Sequence, residues 1–170
     1  MNVYDAIRAK RAIRQFQDKP LPDEVVHQIL NAGRLSQSSK NTQPWQFVAV
    51  RDRAKLEALS KTGTFAGHLA GAALGVAILT PDPGEKFQTL FDAGQAAAYM
   101  QLAAWELGVG SCLASIYEPE QARAVLNFPA EWHLHIAISF GYPAPEAVQP
   151  RPARPEGRKQ LDEVVHWDTW

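Results

Sequence analysis

Residues 87–107 constrain the fold more than any other part of the chain. They form its longest helical pattern, and the middle, Ala93-Gly-Gln-Ala-Ala-Ala98, consists of small residues with few charges. A helix that is apolar on most of its faces is buried, and small side chains let a second helix come close. A chain of 170 residues makes one domain, residues 1–170, around one core. Such a core has limited room to enclose a helix of that length. A partner subunit would supply the missing cover, so the pattern predicts a dimer interface, with a central helix inside a monomer as the alternative.

The totals are those of a soluble globular protein, 46% apolar and 21% charged. A formal net charge of −1 gives no overall attraction to nucleic acid or acidic membranes, so any basic patch must be local. The single cysteine, Cys112, excludes an intramolecular disulfide and a cysteine-rich metal site. The first residues hold no apolar run of signal-peptide length. No stretch of about 20 residues lacks polar groups, so none is suited to span a membrane. The expectation is a cytoplasmic protein that engages neither membrane nor nucleic acid.

Val3, Ala6 and Ile7 predict a short first helix, after which Arg8, Lys10, Arg11 and Arg14 gather four cations within seven residues. Such a cluster suits the negative end of a helix dipole. It also suits an anion clamp, in which guanidinium groups take a phosphate through paired hydrogen bonds. Leu21-Pro-Asp-Glu24 starts a second helix, which Val25, Val26, Ile29 and Leu30 continue. Residues 51–60 predict an exposed third helix and 118–126 another short one. Strands are predicted at 46–50 and 72–80, within 108–116, where a glycine turn runs into a strand, and at 133–141, the last placing His133 and His135 on one face. His68, alone in a loop, reads as a surface or capping residue, and Cys112 as an inert core thiol.

The second helix runs into Ser36-Gln-Ser-Ser-Lys-Asn-Thr-Gln-Pro-Trp45. Loops this polar are usually solvated turns. This one is pinned by Pro44 and by a tryptophan expected to be buried, and it leads into a strand read as buried. A loop of short hydrogen-bonding side chains held in this way can hold a polar ligand. At the other end, residues 142–170 form an extended arm. Five prolines between 142 and 155 exclude helix there, Arg151 and Arg154 add charge, and Val164, Val165, Trp167 and Trp170 are expected to dock on something.

Five segments carry a wider likeness: Lys10-Arg-Ala-Ile-Arg14, Ser38-Ser-Lys-Asn-Thr-Gln-Pro-Trp45, Leu107-Gly-Val-Gly-Ser-Cys112, Phe140-Gly-Tyr-Pro143 and Gly157-Arg-Lys-Gln-Leu-Asp-Glu-Val-Val-His-Trp167. In that order, and over essentially the whole chain, they resemble the nitroreductase family of flavin enzymes. The resemblance implies an α+β fold with a mixed, mostly antiparallel central sheet flanked by helices. It also implies an intertwined homodimer with two FMN sites at the interface. Cofactor contacts are implied for Lys10, Arg11, Ala12 and Arg14, for Gln37, Ser38, Ser39 and Asn41 of the other subunit's loop, for Ala114, Ser115 and Ile116 beside the ring, and for Arg158 at the phosphate. Three positions depart from the family pattern. Ala12 stands where serine is common, Gln37 where proline is usual, and Ala66 where a side chain often touches the flavin.

The activity implied is an FMN-dependent oxidoreductase that takes hydride from NADH or NADPH. It would pass electrons to nitroaromatics, quinones or similar small acceptors in a ping-pong cycle. Because the cofactor carries the chemistry, no catalytic acid or base is expected, and Arg14 would favour reduction electrostatically. Two alternatives stand beside this reading. One is a flavin-fragmenting or dehalogenating enzyme, which needs a lid that only the short 84–91 segment could supply. The other is a non-redox dimer whose arginines bind a nucleotide or another anion.

Overall fold

A computed structural model of the protein describes residues 2–84, 86–148 and 157–170. Arg151 and Arg154 of the predicted arm lie outside the described residues. The elements in order are α1 (Val3–Ala9), α2 (Asp23–Arg34), β1 (Gln46–Val50), α3 (Arg53–Ser60), β2 (Leu74–Thr80), α4 (Gln88–Glu106), β3 (Gly110–Ser115), α5 (Pro119–Leu126) and β4 (His133–Gly141). Their ends follow local chemistry. The Asn2 and Asp52 side chains accept from the Asp5 and Lys55 amides at the starts of α1 and α3, a cap worth about 1 kcal/mol. Pro119 opens α5, and Asn127 in the left-handed region (φ 55°) closes it.

The strands form one sheet in the order β1-β2-β4-β3, with every neighbouring pair antiparallel. Among the described residues the parallel contribution is a single bridge, Ala12 to Ser111. Side chains alternate across the sheet. Val76 and Ile78 of β2 and Ile138 and Phe140 of β4 face α2 and α4, where Ile29 and Met100 complete the core. Ala77, Leu79 and Ala137 face the other way, against Leu56 and Leu59 of α3 and Ala122 of α5. β2 is buried at all seven positions because it has a strand on both edges and helices on both faces. β1 corrects the expectation of a buried strand. It is the edge of the sheet, and only Val50 is buried. A groove of about 1040 Å³, lined in part by Asn31, Trp45 and Phe47, follows that edge.

The long helix is enclosed on one side only. Ala96, Ala97, Met100 and Ala104 are buried, whereas Phe91, Gly94, Ala98 and Tyr99 face solvent. The C-terminal segment does not dock within the protomer: Trp167 is 83% exposed and Trp170 fully so. No described helix is long and apolar enough to cross a membrane.

Candidate functional site

The basic cluster begins at a helix end, with Arg8 in the last turn of α1, and continues beyond it. α1 stops at Ala9, Lys10 caps it in an extended conformation, and residues 11–14 run alongside β3. The Ile13 amide donates to the Ser111 carbonyl at 2.9 Å. Ile13 is buried against Ala144 and Ala147 and anchors the segment, so Arg11, Ala12 and Arg14 are turned outward. Arg11 donates to the Val148 carbonyl at 3.3 Å. The ion pairs among the described residues involve Arg51, Arg53, Lys61 and Arg123, and Arg14 is in none of them. No acidic residue lies between Asp5 and Asp18 in the sequence.

Lys10 is tied down. Its ammonium donates to the Gln101 Oε1 of α4, which the Ser111 hydroxyl also approaches at 3.4 Å. Burial pushes the Lys10 pKa down, and the Cys112 thiol partly offsets this. Burial pushes the Cys112 pKa up against the pull of Arg14 and Lys10, which fits the expected inert thiol. His68 corrects its expectation, being buried rather than on the surface. Its Nδ1 shares a 2.7 Å hydrogen bond with the Ser139 hydroxyl, while Nε2 is buried with no partner. Burial first, and then Arg14, lower its pKa. The Leu113 backbone works in the opposite direction, although Nε2 lies outside hydrogen-bonding geometry.

Of the three positions at the end of β3 and just after it that are expected beside a flavin, Ala114 and Ile116 point into the core with Leu134 and Ala137. They can offer a ligand backbone only. The open side chains of β3 are Leu113 and Ser115, the first of which the sequence reading missed. Beyond them Gly63 closes the strand, since a Cβ there would lie 2.1 Å from the Ser115 carbonyl oxygen.

The polar loop is strained and firmly held. Lys40, Asn41 and Gln43 all have positive φ, at 52°, 55° and 48°. For residues other than glycine this costs about 1 kcal/mol or more each. The Gln43 amide donates to the Ser38 hydroxyl at 2.9 Å and the Thr42 hydroxyl to the Ser39 carbonyl at 3.0 Å. Asp92 of α4, itself buried, accepts from the Ser39 amide at 3.0 Å. Trp45 is buried as expected, while Gln37, Ser39 and Asn41 are exposed and Ser38 half-exposed.

One chain does not bring the expected site together. The loop hangs on Asp92 and the basic segment on Gln101. Nine residues of helix separate these anchors by about 13 Å along the axis and about half a turn around it. Arg158 is exposed on the C-terminal segment, and no hydrogen bond or ion pair links it to residues 10–14 among the described residues. Asp92, Gln101 and His68 were missed as organisers of the site. Two polar side chains within a mostly apolar helix were the signal that could have found the first two.

A family model described as the nitroreductase family matches residues 7–66 and 63–142. A protein of Archaeoglobus fulgidus, provisionally named an NADH dehydrogenase/NAD(P)H nitroreductase, is 32% identical over 82% of this chain and 84% of its own length. An NADH dehydrogenase of Thermus thermophilus is 28% identical over 98% of this chain and 96% of its own. Among solved structures, an FMN-dependent nitroreductase of Clostridium difficile superposes with a TM-score of 0.83 at 27% identity, covering 99% of this chain and all of that one. Together with the antiparallel sheet, the basic segment on β3 and the polar loop, these matches establish that the chain belongs to the nitroreductase family.

Proposed function

We propose that the protein is an FMN-dependent oxidoreductase that takes hydride from NADH or NADPH. It then passes the electrons to a small aromatic acceptor, such as a quinone or nitroaromatic, in a ping-pong cycle. The observation that carries the reading is the exposed guanidinium of Arg14. It has no ion-pair partner among the described residues, follows Lys10 and Arg11 in the same segment, and lies two residues past the bridge that sets this segment alongside β3. A phosphate dianion resists burial without cations, and this donor set, all cations and backbone amides, fits one. The residue types therefore suit FMN. Arg11 and Arg14 would hold it, joined by Arg158. Ser115 and the backbone of 114–116 would border its ring, and Lys10, tied to Gln101, would lend charge.

FMN would supply the two-electron redox centre. The protein's part is to bind, orient and hold fixed positive charge nearby, so no side chain is named as a catalytic acid or base. Arg14 keeps its charge at any working pH and favours electron-rich forms of whatever lies next to it.

The loop residues Gln37, Ser38, Ser39 and Asn41 would reach that site from a second copy of the chain. Half a turn of α4 separates the two groups within one protomer, and the exposed small-residue face of the helix supplies a surface for the copy. The relatives' names support the donor: the Thermus protein is an NADH dehydrogenase and the Clostridium protein an FMN-dependent nitroreductase.

The visible spectrum of the purified protein tests the reading. A flavin spectrum that bleaches when NADH or NADPH is added without air is the expected result, and it names the preferred donor. A colourless protein that also fails to take up added FMN would sink the proposal and favour a simple anion site.

A further inference from the structure

The connection from β2 into α4 carries large apolar side chains that the protomer leaves in water. Phe87 is 65% exposed and Phe91 71%. Their rings meet edge to face, with centroids 6.2 Å apart and planes at 81°. Edge-to-face contact is a favoured arrangement of two aromatic rings, so each ring fixes the direction of the other. Together they wall an open groove of about 480 Å³ whose other sides include Gln37, Ser38 and Ser39. Asp92 also lines it, with its carboxylate engaged by the Ser39 amide. Among the described residues, no lysine, arginine or histidine borders that groove.

We propose that Phe87 and Phe91 determine the specificity of the electron-acceptor slot, selecting flat, uncharged aromatic acceptors. The inference rests on the reading that Ser38 and Ser39 border the flavin, and it adds which side chains choose the acceptor. Aromatic rings attract flat rings by dispersion and by removal of apolar surface from water. The volume is that of a small-molecule pocket. Serine hydroxyls and a glutamine amide on the opposite side can donate to a quinone or nitro oxygen. An anionic acceptor would find no cation there and a carboxylate close by. The overall exchange balances, as NAD(P)H and one proton convert a quinone to its hydroquinone and leave NAD(P)⁺. Phe87 and Phe91 hold the acceptor and transfer neither electron nor proton.

The test uses FMN-loaded wild type, Phe87→Ala, Phe91→Ala and Phe91→Tyr, with reduction by nicotinamide and reoxidation followed separately. Each alanine is expected to lower kcat/KM for tetramethyl-1,4-benzoquinone roughly threefold to tenfold. Reduction by nicotinamide should hold its rate. Reoxidation by ferricyanide, which has no aromatic face, should change by less than about twofold, because the stacking contact is absent. Binding of tetramethylhydroquinone to the oxidised enzyme, measured by calorimetry, should weaken by the same factor, and Phe91→Tyr should keep both properties.

Equal losses for the quinone and ferricyanide, or unchanged hydroquinone affinity in both alanine variants, would overturn the proposal. A drop in sedimenting mass on removal of the rings would do so too, since it would make them contacts to another copy. Failure of the wild type to take up FMN would sink the flavin reading and this inference with it. A nicotinamide-reducible wild type with unaffected alanine variants sinks the inference alone.

Discussion

His68 carries a pH signature that depends on no ligand. The groups facing it are Leu113 from β3, Arg14 from the basic segment, and Ser139 from β4, whose hydroxyl also reaches the Cys112 carbonyl. Burial, with help from Arg14, holds its pKa below the ordinary imidazole value. The unfolded chain therefore takes up a proton near pH ~6.5 that the folded chain resists. Stability from this source is complete above that pH and is lost as pH falls through it towards the lowered folded value. Between about pH 7.5 and pH 5.5, wild type should lose unfolding free energy more steeply than His68→Gln, as read by urea titration at each pH. Parallel slopes would contradict this account. Sequence alone gave no hint of it, because a histidine between Gly67 and Leu69 looks like any loop residue. Its burial comes from a tertiary contact with Ser139, 71 positions away.

At the level of elements, α4 holds the sharpest test. A Cβ added at Gly94 would meet nothing within 4 Å, so the protomer has room for a larger residue there. Glycine within a helix is also worse than most residues by roughly 0.5–1 kcal/mol. Gly94→Leu should therefore stabilise a chain that works alone. If α4 packs on a second copy, the same change should lower the mass seen by sedimentation and weaken FMN retention. The helices and strands were legible because apolar runs and turn residues mark their bounds: β1 and β4 occupy the predicted residues, and α4 departs by one residue at each end. What the pattern missed was the environment of those elements. Gln46-Phe-Val-Ala-Val50 alternates weakly, so its edge position depended on strand order, which no local signal encodes. The cations 11–14 were legible as a cluster, but their extended path along β3 depends on Ile13 entering a core built by residues 144–147.

For the whole molecule, cofactor binding should appear as stability. A ligand that binds only the folded state at a hundredfold excess over its Kd adds about 2.7 kcal/mol, roughly 5–10 °C in Tm for a chain of this size. FMN should raise the wild-type melting point by about that much. Arg14→Ala should lose most of the rise while leaving the ligand-free melting point nearly unchanged, because Arg14 makes no ion pair to forfeit. An equal rise in both proteins, read by thermal scanning, would remove Arg14 from the cofactor site. The open side of β1 has a consequence of another kind. It offers a row of unbonded amides and carbonyls along a groove, and such a rim accepts any extended polypeptide. During synthesis at high local concentration, that rim and the bare Trp167 and Trp170 are available to misfolded neighbours and to correct ones alike. Yield on expression should therefore be governed by how soon each new chain covers its rim, a race that slower synthesis or lower temperature would tilt towards the native product.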